Sequence, residues 1–163
     1  MHVTLAFLGP TPDEGLADVA AAASEAAAAQ PPFAVSLAGV RRFPAGGAPR
    51  IVWLGMSEGA TEASNLAVAV RRALASREIT FDAKPFRPHV TLGRLKESAD
   101  RATARVVVAA SERVRLPPLR FDVNELVVFE SVLSPKGARY TSRAAVPLGA
   151  GGTGERQGAR RDP

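Results

Sequence analysis

The sequence contains two histidines, His2 and His89, and each heads the same tetrapeptide, His-Val-Thr-Leu. At average composition a given histidine is followed by Val-Thr-Leu roughly once in a thousand times, so two such matches need a common cause. Imidazole titrates near neutrality, which lets one ring accept a proton while a second donates one. In-line displacement at phosphorus uses that pairing. A base deprotonates the attacking water and an acid protonates the departing oxygen, each transfer contributing about 100 to 10,000-fold. Thr4 and Thr91 stand two residues beyond the histidines, hence on the same face of an extended chain. Their hydroxyls can donate to the non-bridging oxygens where charge accumulates. Cysteine is absent, which removes thiolate nucleophiles, disulfides and thiolate metal sites. Two histidines without carboxylates close by in sequence make a poor zinc set, so neither a metal nor a cofactor is expected.

For the two motifs to act together, matched elements must carry them. In a first strand Val3, Leu5 and Phe7 would face a core while His2, Thr4 and Ala6 face away. Thr11-Pro12-Asp13-Glu14 reads as a capping box with Pro12 at the first helical position. The helix after it places Leu16, Val19, Ala20, Ala23 and Ala27 on one stripe, and Gln30-Pro31-Pro32 ends it. Phe33, Val35 and Leu37 alternate as a strand, residues 39–49 read as a Gly/Pro-rich loop, and residues 51–54 as another strand. Ala63, Leu66, Ala67, Val70 and Leu74 form a second helical stripe. Pro85 and Pro88 disfavour helix before His89, so residues 89–95 are extended, with Val90 and Leu92 inward and His89 and Thr91 on the other side. A helix over residues 98–112 would turn Ala99, Ala102, Val106 and Ala109 inward. Residues 121–129 and 139–146 read as strands joined through Ser134-Pro135-Lys136-Gly137. The plan resembles a duplicated strand-helix-strand unit, and an approximate twofold between the copies would bring both imidazoles and both threonines to one cleft.

At 163 residues the chain fits one domain, expected over residues 1–148. Residues 149–163, rich in Gly and Arg and without apolar periodicity, are expected to be a disordered tail. No signal or membrane-spanning pattern is present at the N-terminus, so a cytoplasmic monomer with no membrane partner is expected. The formal net charge of +5 favours anionic partners such as nucleic acid, and compositional bias accounts for it equally well. Arg42, Arg50, Arg87 and Arg94 are candidates for phosphate contact, although strict alternation puts Arg94 on the face opposite His89. Trp53 reads as packing or, less simply, as a base-stacking platform. Phe86 stands similarly, and Phe43 is the better stacking candidate because its loop borders the expected cleft.

At HVTLAFLG and PFRPHVTLGRL the chain resembles the 2H phosphoesterases, and within them the RNA 2′,3′-cyclic phosphodiesterases, also called 2′-5′ RNA ligases. RRF followed by PRIVWLG resembles the family's intervening segment, and FESVLSPKGARY its C-terminal hairpin. The resemblance covers residues 1 to about 148. It implies an α+β fold: two pseudo-twofold-related lobes of antiparallel sheet, helices packed outside, and a central cleft. It implies metal-independent opening of an RNA terminal 2′,3′-cyclic phosphate to a 2′-phosphate. His2 is then the proton donor to the leaving 3′ oxygen and His89 the proton acceptor from water. Thr4 and Thr91 bind phosphate, Phe43 and Arg94 are further substrate contacts, and RNA 3′ ends or small cyclic phosphates are the partners. The family begins with a strand and a helix upstream of its first motif, whereas here Met1 directly precedes His2; the His2 strand is therefore expected to lose a neighbour. Two other readings fit the same residues: a module that binds phosphorylated RNA ends with little or no turnover, and a 2′,5′-linkage ligase or phosphodiesterase.

Overall fold

The computed structural model describes residues 2–117, 119–134 and 137–149. Among these, a 3₁₀ turn at Asp13–Gly15 leads into α1 (Leu16–Ala28), followed by β1 (Phe33–Phe43), β2 (Ile51–Glu58), α2 (Ala60–Ala75) and β3 (His89–Arg94). Then come α3 (Arg101–Arg113), β4 (Leu119–Val123), β5 (Glu125–Ser134) and β6 (Gly137–Pro147). The strands form a four-stranded sheet in the order β3-β2-β1-β4 and a two-stranded ribbon, β5-β6. All pairings are antiparallel. The fold is α+β, with sheets on two sides and helices packed against them, as expected.

Two apolar clusters hold it together. In the first, alanines of α1 (Ala22, Ala23, Ala26 and Ala27) meet Leu66, Val70, Ala73 and Leu74 of α2, with Leu126 and Leu148 from the ribbon side. Alanine has almost no side chain, so these helix surfaces approach closely. The stripe expected on α2 is fully buried: Ala63, Leu66, Ala67, Val70 and Leu74 all lie inside. On α1 Val19, Ala23 and Ala27 are buried as expected, with Ala22 and Ala26 in place of Leu16 and Ala20. An alanine-rich helix offers several faces of equal apolarity, and the neighbours choose among them. The second cluster is Val35, Leu37, Leu54 and Val90, on one face of the four-stranded sheet. On that face Arg42 donates to the Ser111 hydroxyl at 3.3 Å and to Glu112 at 2.9 Å, tying β1 to α3.

Several local expectations are corrected. Residues 2–10 belong to neither sheet. A bend at Leu5 breaks the alternation, so Leu5, Ala6 and Leu8 pack on the first cluster while Phe7 is exposed. Thr11 does not cap a helix. Its hydroxyl donates to the Gly9 carbonyl at 3.3 Å, and the chain enters α1 through the 3₁₀ turn. The strand expected to end near Leu37 continues to Phe43, because a bulge at Gly39 lets Val40 pair with Leu54 and Phe43 with Ile51. Gly39 takes φ +73° there, a conformation glycine adopts without strain. Asp100 caps α3 by accepting from the Thr103 N–H at 2.7 Å, so that helix starts later than expected. Its inward residues are Ala104 and Ser111, with Val106 exposed. The strand read across residues 121–129 divides at Asn124 into β4 and β5, which join different sheets.

Pro135 and Lys136 of the expected turn lie outside the described residues, but Ser134 and Gly137 pair, and the Ser134 hydroxyl donates to the Gly137 carbonyl at 2.8 Å. Of the expected tail, residues 150–163 lie outside the described residues. Gly149 is described, and its N–H donates to the Ala27 carbonyl at 3.0 Å. No helix among the described residues is long and apolar enough to cross a membrane.

Candidate active site

β3 runs antiparallel to β2 with His89 opposite Gly55, Val90 opposite Leu54 and Thr91 opposite Trp53. Val90 points into the second cluster, so His89 and Thr91 point to the other face, as the period of two requires. The His89 ring is held twice. Its Nδ1 lies 2.6 Å from the Arg87 carbonyl oxygen, and it meets the Trp53 indole edge-on at 5.6 Å between ring centres. A carbonyl oxygen only accepts, so Nδ1 carries a proton and donates it, leaving Nε2 of the neutral ring as the acceptor.

The expected core-side position of Leu92 on β3 is corrected by a bulge. Val52 pairs with Gly93 and Trp53 with Thr91, leaving Leu92 unpaired and exposed. The extra residue changes the parity of the strand. Arg94, which strict alternation puts opposite His89, is thereby returned to the His89 face.

The first motif reaches the same place from the ribbon side. His2 packs edge-on against Tyr140 of β6, 4.9 Å between ring centres, and lies 5.9 Å from Phe129 of β5. His2, Thr4, His89, Thr91, Arg94 and Tyr140 line one cleft of about 330 Å³. The structure thus brings together the four motif residues and Arg94. Among the described residues no carboxylate lines that cleft, and no three His, Asp, Glu or Cys side chains cluster to hold a metal. Two imidazoles, two hydroxyls and a guanidinium suit a phosphate group: donors for its oxygens, a positive charge, and two groups able to move protons.

The other candidates are distributed differently. Phe43 is 55% exposed at the end of β1. It sits across Ile51 from Arg94 on the sheet and is not among the cleft-lining residues. Arg42 is committed to α3 on the opposite face. Arg50 serves through its backbone, donating to the Phe43 carbonyl at 2.8 Å and accepting from the Leu95 N–H at 2.9 Å. Tyr140 is a site residue that sequence reasoning missed. Nothing in its spacing marks it, since only the pairing of β6 with β5 brings it to His2.

Residues 1–133 match the family model described as the 2′-5′ RNA ligase superfamily. The chain is 34% identical to the RNA 2′,3′-cyclic phosphodiesterase of Aquifex aeolicus, over 86% of this chain and 74% of that protein. It is equally 34% identical to the protein of the same name from Archaeoglobus fulgidus, over 86% of this chain and 75% of that one. Among solved structures it resembles TT0787 of Thermus thermophilus, with a TM-score of 0.69 and 31% identity over 91% of this chain and 78% of that chain.

Proposed function

The chain belongs to the 2′-5′ RNA ligase superfamily, and on that footing we propose that it hydrolyses RNA terminal 2′,3′-cyclic phosphates to 2′-phosphates through its paired histidines. The observation that carries the mechanism is the convergence of both His-x-Thr pairs and Arg94 on one cleft. In the reaction His89 Nε2 takes a proton from water, whose oxygen forms a bond to phosphorus opposite the 3′ oxygen. The bond from phosphorus to that 3′ oxygen breaks, and His2 supplies the proton it needs. The Nδ1–H bond to the Arg87 carbonyl supports the role of His89, because it presents the basic nitrogen to the cleft. Thr4 and Thr91 donate to the non-bridging oxygens, and Arg94 offsets their growing charge; both effects are strongest where charge develops.

Incubation with an oligonucleotide ending in a 2′,3′-cyclic phosphate, with a chelator present, tests the reading. Recovery of a 2′-phosphate is expected. Recovery of a 3′-phosphate would reverse the regiochemistry, and unaltered but tightly held RNA would leave a binding module in place of the enzyme.

A further inference from the structure

The cleft face of the four-stranded sheet continues past the catalytic pair. Thr91 lies opposite Trp53, and Trp53 opposite Arg41, so these three side chains share one row and one face. The Arg41 guanidinium carbon stands 5.6 Å from the centre of the Trp53 ring. Its stem passes over Gly55, where a Cβ would meet Arg41 Nε at 3.2 Å. Gly55 is the residue directly across from His89. Arg41 therefore starts two strands away, about 10 Å at the usual strand spacing, and crosses Gly55 and Trp53 on the face that bears His89. Among the described residues no carboxylate lies within ion-pair distance of it, whereas Arg42, Arg77, Arg120 and Arg143 each have one. An oriented, uncommitted guanidinium beside an anion-binding cleft is suited to a second anion.

We propose that Arg41 binds the phosphodiester adjoining the cyclic phosphate, so that the preferred substrate is an RNA end of two or more nucleotides rather than a mononucleoside cyclic phosphate. The proposal rests on the phosphodiesterase reading above and adds a contact to the neighbouring phosphodiester and, with it, a length preference. Trp53 holds the guanidinium by cation–π attraction, and Gly55 leaves the path open. One charge-assisted contact of this kind gives about a 10-fold preference in kcat/KM, together with a salt dependence steeper by about 0.7 in log–log slope, the increment for one phosphate on a single strand.

The test compares three substrates: a mononucleoside 2′,3′-cyclic phosphate, a dinucleotide with the same end, and that dinucleotide with an uncharged methylphosphonate linkage. The native protein should favour the natural dinucleotide by about 10-fold over both others. Arg41→Gln should lose that margin while turning over the mononucleotide at the native rate, and Arg41→Lys should retain part of it. Equal native rates on natural and methylphosphonate dinucleotides would overturn the role of Arg41, as would an Arg41→Gln loss shared by all three substrates. If the native protein opened none of the three, the phosphodiesterase reading would fail, and this inference with it.

Discussion

Replacing His2 by alanine removes the proposed acid and leaves the rest of the cleft in place. The His2 ring rests against Tyr140 and Phe129 by ring packing, and Thr4, Thr91, His89 and Arg94 line the cleft independently of it. Phosphate binding should therefore survive. The expected loss is one proton transfer, about 100 to 10,000-fold in kcat, or about 2.7 to 5.5 kcal/mol of barrier, with KM little changed. An acid must be protonated to act, so His2→Ala should abolish the fall in rate at high pH, and His89→Ala the fall at low pH. A sulfur leaving atom hardly needs a proton. A cyclic substrate with sulfur in place of the 3′ oxygen should thus restore His2→Ala to near the native rate but not rescue His89→Ala. Because the two rings act as a unit, the double variant should be little slower than the slower single variant. The assay is steady-state turnover of both substrates by the four proteins across pH. Native-like turnover of the oxygen substrate by His2→Ala would refute the paired mechanism, and failure of sulfur to rescue that variant would refute the assignment of His2 as acid.

Gly59 caps α2 in the left-handed region, φ +78°, where a Cβ would collide with the Ala34 carbonyl oxygen and stand 2.8 Å from Val35 Cγ2. Gly59→Ala should lower stability by about 2 kcal/mol or more in urea unfolding; an unchanged midpoint would contradict the close approach of Gly59 to β1. The Glu58 carboxylate accepts from the Ser36 hydroxyl and from Arg120, each at 2.7 Å. Its pKa is lowered chiefly by the Ser36 bond, with Arg120 adding attraction against partial desolvation. A lowered carboxylate pKa stabilises the fold above the ordinary carboxylate range, and the contribution is lost as pH falls through the depressed value. Ser36→Ala should move the Glu58 titration upward in an NMR pH series and shrink the acid-induced loss of stability, whereas an unmoved titration would remove Ser36 as the cause.

The chemistry was legible in the sequence because it resides in residue identity. Two histidines each followed by Val-Thr-Leu mark the groups proposed to react, and the period of two puts each threonine beside its histidine once the chain is extended; all four line one cleft. The α2 stripe was legible for a similar reason: leucine and valine at helical spacing leave one apolar face to bury. Where alanine dominates, as on α1, or valines crowd several faces, as on α3, the pattern does not choose a face, and packing against neighbouring elements does.

The tertiary structure decided what depends on pairing. The bulge at Leu92 exists only relative to Val52 and Trp53 on β2, and it turns Arg94 toward the cleft; the bulge at Gly39 likewise carries β1 on to Arg41 and Phe43. Tyr140 and His2, at opposite ends of the described chain, meet only when the ribbon folds beside the first motif. Side-chain identity and alternation are local properties that a sequence displays directly, whereas register, bulges and contacts between distant segments are set by the backbone hydrogen bonds of a partner strand, which no residue displays alone.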